Sequence, residues 1–288
     1  MRIQKSLVVS AAVLAIAATG CAPKSEAPKA DGSKAPAVSC AMSDLALKTK
    51  GQLTVGTDSP AYPPWFQDNK PANGKGFESA VAYAVAEQLG FTADQVKWVK
   101  VPFNNSYAPG AKNFDFDINQ ISVTPEREQK VSFSDGYYFA SQAIIALKSS
   151  KIASASTVAD LKNYKLGAQT GTTSLTAIRE TVKPSADPLV FDDTNVAKRA
   201  LLNGQVDAIV ADLPTALYIT AVEIPKAKIV GQFKDPNNAE HFGLLSEKGS
   251  KLTPCLNDAI AKLTEDGTLK GLEEEWIPET TSVPVLTN

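Results

Sequence analysis

The chain has 288 residues, with 29 Lys and Arg against 31 Asp and Glu, a single His and a formal net charge of -2. Duplex-binding proteins need a basic excess to neutralise phosphates, so nucleic acid is not an expected partner. A hydrophobic content of 43% and a charged content of 21% exclude general disorder and suit one large or two medium globular domains.

Arg2 and Lys5 precede an apolar run over residues 7–18. That run is shorter than the roughly 20 apolar residues a membrane span needs, and it ends in small residues, as a signal peptide does. Ala18-Thr19-Gly20-Cys21 resembles the bacterial lipobox, although Ala18 stands where Leu is commoner. Residues 1–20 are therefore read as a lipoprotein signal peptide and Cys21 as the diacylated first residue of the mature chain, with plain secretion as the alternative. Residues 22–39 are Ala, Pro, Lys and Ser with almost no large apolar side chains, too little buried surface to offset ordering entropy. The span 21–49 is expected to be lipidated Cys plus flexible tether, placing the domain outside the cytoplasm and anchored to the cell membrane.

Export leaves Cys40 and Cys255 in an oxidising compartment where disulfides persist. A bridge would tie the start of the folded region to a late helix; the alternative is two unrelated buried thiols. His241 has no Cys or His company for zinc, no G-x-S-x-G elbow occurs, and no Walker A pattern occurs. No metal and no cofactor are expected.

From about residue 50 short β-branched runs alternate with helical patterns, the signature of an α/β sheet. Residues 53–57 predict a strand, and 76–90 predict an amphipathic helix with Phe77, Val81, Ala84, Val85 and Leu89 on its inner face. Strands are predicted again at 96–101 and at 114–118, where apolar and acidic residues alternate before Asn119-Gln120-Ile121-Ser122. Thr124-Pro125-Glu126-Arg127 marks a turn and a new element. Further strands at 165–169, 206–211 and 229–232 are joined by helices starting at Thr173 and Pro214, and the tail is helical over 253–276, divided by Gly267. No repeat of 20–50 residues is evident.

Ligands of open α/β sheets bind beyond the carboxyl ends of the strands. Polar residues there are Asp58, Ser122, the turn Thr170-Gly171-Thr172-Thr173, and Asp212. The turn opens a helix, so its amide N–H groups would suit an anion. Each feature alone is also an ordinary cap.

Together, ordered motifs carry a resemblance: GTDSPAYPPW (56–65), GFE (76–78), FDFDINQISVTPER (114–127), VSFSDGYY (131–138), LGAQTGTTS (166–174), VDAIVAD (206–212) and LTEDGTLKGLEEEW (263–276). Over about 51–278 the chain resembles the amino-acid-binding extracellular solute-binding proteins (family 3) of bacterial ABC importers. The resemblance implies a two-lobed type II periplasmic-binding-protein fold with two crossover strands. Residues 50–139 plus 241–288 would form lobe 1 and 140–240 lobe 2, with crossings near 138–143 and 233–241. His241, beside a crossing, is expected to have a packing or surface role.

The resemblance further implies that Arg127 grips a ligand α-carboxylate with its planar fork, helped by Ser122 and the Thr172–Thr173 turn. Asp212 of the other lobe would accept the α-ammonium. Arg127 paired on the surface with Glu126 or Glu128 is the bland alternative. Tyr62 and Phe103 would sandwich the ligand side chain, with Trp65 beside them; Asp58 would either pair with a basic or amide group or cap its strand. Two departures concern the pocket: the loop between Asp58 and Tyr62 is one residue longer than usual, and Asn119 and Gln120 stand where small residues are common, bringing extra amides to the carboxylate site. The implied protein is a monomeric receptor, without catalysis, that takes a zwitterionic amino acid, polar or basic, to the transmembrane subunits of an ABC permease. A ligand-sensing module, and a dehydratase-like enzyme using Glu78 or Asp58 as an acid, are the alternatives.

Overall fold

Leu53 and Val55 lie in a β-branched run, and there β1 (Leu53–Thr57) forms with all of its residues buried, as a strand covered on both faces requires. The computed structural model describes residues 39–234, 240–279 and 282–287; the signal peptide and Cys21 lie outside them. After β1 come α1 (Phe77–Gln88), β2 (Val96–Lys100), α2 (Phe103–Ser106), β3 (Phe116–Asp117), α3 (Pro125–Glu128) and β4 (Val131–Phe139). A second group follows: β5 (Gln142–Leu147), β6 (Leu166–Gln169), α4 (Thr173–Ala177), β7 (Leu189–Phe191), α5 (Thr194–Leu202), β8 (Ala208–Asp212), α6 (Leu213–Tyr218) and β9 (Ala227–Gln232). The chain then returns through β10 (His241–Glu247), α7 (Thr253–Glu265) and α8 (Thr268–Trp276).

Two five-stranded sheets result, in the orders β2-β1-β3-β10-β4 and β7-β6-β8-β5-β9. They share one plan. In the first, β1 runs parallel to β2 and β3 while β10 is antiparallel to β3 and β4. In the second, β6 runs parallel to β7 and β8 while β5 is antiparallel to β8 and β9. The first crossing takes only two residues, from Phe139 to Gln142, and the second lies between Gln232 and His241. Along β5, Ile144 and Ala146 face one apolar cluster while Ala143 and Ile145 face another, the period-2 consequence of a sheet covered on both sides.

Two expected boundaries shift. Residues 40–49 are held on the first lobe rather than tethering it. Cys40 is disulfide-bonded to Cys255 of α7, with Cα atoms 5.4 Å apart, and Lys48 donates its backbone N–H to Asp115 at 2.6 Å. The extreme C-terminus, expected in lobe 1, lies on the second sheet: Leu286 is buried in that core and its N–H donates to Gln232 at 2.8 Å. Gly231 makes this possible, because a Cβ there would meet the Leu286 side chain at 2.8 Å. The strand expected over 114–118 shortens to two residues, and Asp115 instead accepts the N–H groups of Lys48 and Thr54.

Candidate ligand-binding site

Between the two sheets lies a cavity of about 630 Å³, mouth included, and all ten residues expected to bind ligand line it: Asp58, Tyr62, Phe103, Asn119, Gln120, Ser122, Arg127, Thr172, Thr173 and Asp212. The carboxyl ends of β1, β3, β6 and β8 deliver most of them.

Arg127 is set by a short helix start. Pro125 occupies the first turn of α3 and the Thr124 side chain accepts the Arg127 N–H, a cap that aims the residue inward. Its side chain is only 7% exposed. Nη1 donates to the Ser122 carbonyl at 2.6 Å and Nη2 to the Gly171 carbonyl at 2.9 Å, while the guanidinium sits 4.6 Å above the Tyr107 ring and 5.6 Å above the Phe103 ring. Burial weakens its hold on the proton, partly offset by Tyr107 and by the charges of Glu240 and Asp212. Among the described residues it forms no ion pair, so the surface pairing with Glu126 or Glu128 is ruled out.

Gly171, at φ +71°, must be glycine: a Cβ would lie 2.3 Å from both Asn104 Oδ1 and the Tyr107 hydroxyl. The next residue, Thr172, spends its hydroxyl as the cap of α4, accepting from Leu175 N–H at 3.1 Å and donating to the Gln169 carbonyl at 2.8 Å. Thr173 reaches across the cleft to Ser122, with hydroxyl oxygens 3.2 Å apart.

Asp212 ends β8 on the opposite wall. Its Oδ1 accepts from the Gln142 side-chain amide at 2.6 Å. Burial, then the nearby charge of Glu240, raises its pKa to about 8. Gln142 also donates to Glu240 Oε1 at 2.9 Å, and the same oxygen accepts from Ser122 at 2.9 Å. Gln142 and Glu240 thus tie both walls together from the two crossings, and neither was singled out in the sequence. The available signal was their position as polar residues beside the crossovers. Gln169, Ser174, Thr194 and Thr215 also line the cavity and were missed.

Other expectations are redirected. Asp58 accepts Ser59 N–H at 2.6 Å and Phe103 N–H at 3.1 Å, so the strand cap is the role its oxygens fill. Asn119 keeps its side-chain Nδ2 buried without a partner among the described residues, whereas the Gln120 side-chain amide is turned to Glu78, whose carboxylate also takes the Gln120 N–H at 2.6 Å. Only one of the two extra amides is therefore available. Glu78 is fully buried, accepts the Tyr137 hydroxyl at 2.5 Å, is raised by burial to about 7, and does not line the cavity. Trp65 is also absent from the lining. It is fully buried in the aromatic core of the first lobe, where an apolar double ring is best removed from water. His241 opens β10 with its ring 5.8 Å from that of Phe139, a packing position. Among the described residues no group of His, Cys, Asp and Glu is placed to hold a metal ion.

A family model, bacterial extracellular solute-binding proteins, family 3, matches residues 53–279. The chain belongs to that family. It is 30% identical over 234 residues to the L-cystine-binding protein TcyJ of Escherichia coli (strain K12), covering 80% of this chain and 84% of that protein. Among solved structures, an ancestral arginine-binding protein bound to glutamine aligns with a TM-score of 0.68 and 32% identity, over 80% of this chain and 100% of that one. The ancestral amino acid-binding protein AncCDT-1, a precursor of cyclohexadienyl dehydratase, aligns with a TM-score of 0.66 and 31% identity, over 79% of this chain and 96% of that one. The fold of this family member is thus the type II fold of amino-acid-binding proteins, and relatives of this kind work outside the cytoplasm with ABC transporters.

Proposed function

We propose that this chain is the lipid-anchored receptor of an ABC importer, which closes two lobes around a zwitterionic amino acid and hands it to the permease. The observation that carries the reading is the placement of Arg127 and Asp212 on opposite walls of one cavity. A guanidinium has five N–H donors; two are spent on the Ser122 and Gly171 carbonyls, which fix the plane of the fork and leave donors for a carboxylate. Ser122 and Thr173 add hydroxyls from both lobes. Asp212 accepts the ammonium, and because Arg127 and Asp212 sit on different lobes, a ligand that bridges them lowers the closed state relative to the open one.

The rest of the lining favours a polar or basic side chain. Tyr62, Gln169 and Thr194 line the cavity, the Thr194 hydroxyl donating to the Gln169 amide oxygen at 3.0 Å so that the Gln169 NH2 group is left to donate, and Asn119 holds an unspent donor. Relatives named for cystine and arginine fit that preference. An enzymatic reading is less well supported: Glu78 does not reach the cavity and the oxygens of Asp58 hold backbone amides. Cys21 and its lipid rest on the lipobox resemblance, as does delivery to a permease on the family's role.

A thermal-shift screen of the twenty amino acids and cystine tests the reading. A ligand at a hundred times its Kd stabilises the native state by about 2.7 kcal/mol, so a true ligand raises the melting temperature measurably. The expected result is a shift confined to polar or basic members. No shift with any of them contradicts the reading.

A further inference from the structure

We propose that the indole N–H of Trp65 is a latch between the lobes, setting how readily the cleft closes without touching the ligand; this rests on the reading of the chain as a closing amino-acid receptor. Phe77 of α1, Tyr138 of β4 and Phe242 of β10 meet the Trp65 ring edge-on, with centroids 6.0, 5.3 and 5.5 Å away. Rings from three elements fix the indole in one orientation, so its N–H points one way. That way leads out of the first lobe. Nε1 donates to Thr215 Oγ1 at 2.8 Å, and Thr215 stands on α6 of the second lobe, itself 9% exposed.

An indole N–H only donates, so separating the lobes here strands a buried donor unless water replaces Thr215. Thr215 lines the ligand cavity and Trp65 does not. The bond therefore ties the ligand-facing wall of one lobe to the rigid core of the other. Other bonds across the cleft, from Arg127 and Tyr107 to the Gly171 carbonyl and between the Ser122 and Thr173 hydroxyls, belong to the carboxylate end of the cavity. A Phe at position 65 would fill much of the same core space yet carry no donor, which separates a latch from mere packing.

The test uses the 15N–1H signals of the indoles. Only three Trp are present, and Trp65→Phe assigns the signal by its loss. In Thr215→Val the Trp65 signal is expected to move and its solvent exchange to quicken by about tenfold or more, as for any group freed from a protected bond. In the wild type that exchange should slow on saturation with the amino acid giving the largest thermal shift. By calorimetry, Trp65→Phe and Thr215→Val should each weaken that ligand roughly 5- to 20-fold, with the double variant no weaker than either, and Trp65→Phe, outside the cavity, should leave the ranking of ligands unchanged. An unmoved signal in Thr215→Val, or additive effects of the two substitutions, would overturn the latch. If no amino acid binds the wild type, the receptor reading fails by itself and the Thr215→Val spectrum decides the latch alone.

Discussion

The wall of the cleft built around β1, β3, α2 and α3 carries Arg127 and the rings of Tyr62 and Phe103, whereas the wall built around β6, β8, α4 and α6 carries Asp212 and the hydroxyls of Thr173 and Thr215. The two sheets share one strand plan, so the difference does not come from topology. It comes from which side chains each strand end delivers. One lobe offers a cation on aromatic faces and the other an acid among hydroxyls, so neither lobe alone can satisfy a dipolar ligand.

The sharpest way to break that comparison is Arg127→Ala. Removing one partner of a desolvated charge pair costs roughly 2–5 kcal/mol, about thirtyfold to several thousandfold in Kd. Calorimetry should show binding lost or nearly so while circular dichroism remains native; unchanged affinity would refute the assignment. Asp212→Asn should weaken binding less, by about ten- to a hundredfold, because an amide oxygen still accepts from an ammonium.

The same residue predicts a pH dependence. With its pKa raised to about 8, Asp212 holds a proton at neutral pH that an incoming ammonium must displace. Affinity should therefore rise between about pH 6 and 8 with release of a proton, seen as a buffer-dependent binding enthalpy, and Asp212→Asn should flatten the rise. A buffer-independent enthalpy would count against Asp212 as the ammonium acceptor.

The lobes also differ in what braces them. The disulfide between Cys40 and Cys255 serves the first lobe alone. Replacing both Cys by Ser should cost roughly 2–5 kcal/mol of stability, lowering the melting temperature without changing ligand ranking. A smaller effect is expected at Asp117, fully buried on β3. Burial raises its pKa to about 8; Ser106 and Lys112 oppose the rise while Glu78 and Asp58 add to it. The native state therefore keeps a proton that the unfolded chain releases above its ordinary value of 3.8, and stability falls as pH rises from about 4 to about 8. Asp117→Asn stays neutral throughout, so it should raise the melting temperature by a few degrees at pH 8.5 and by less at pH 5.

Much of this was legible in the sequence where a local pattern sufficed. β1 matches its predicted span residue for residue, and the turn at Gly267, left-handed at φ +81°, divides the final helices as expected. Asp58, Ser122, Thr172, Thr173 and Asp212 line the cavity because strand ends deliver them there, whereas Tyr62, Phe103, Asn119, Gln120 and Arg127 were expected from the family resemblance and line it too. What the sequence hid depends on long-range pairing. β4, with Ser132, Ser134 and Asp135 breaking its apolar run, is held as a strand by β10 more than a hundred residues later. Gln142 and Glu240 meet only because two crossings run side by side, and no spacing rule encodes that. Trp65 was expected beside Tyr62 and Phe103, yet a turn in which Phe66 N–H donates to the Tyr62 carbonyl at 2.9 Å leaves it in the core.

The central claim is that opposite walls hold opposite ends of one dipolar ligand. Its most direct test is calorimetry of the amino acid giving the largest thermal shift, beside its α-carboxamide and its N-acetyl derivative. The account predicts that masking either charge weakens binding by about a hundredfold or more. Binding of either derivative within about threefold of the parent amino acid would contradict it.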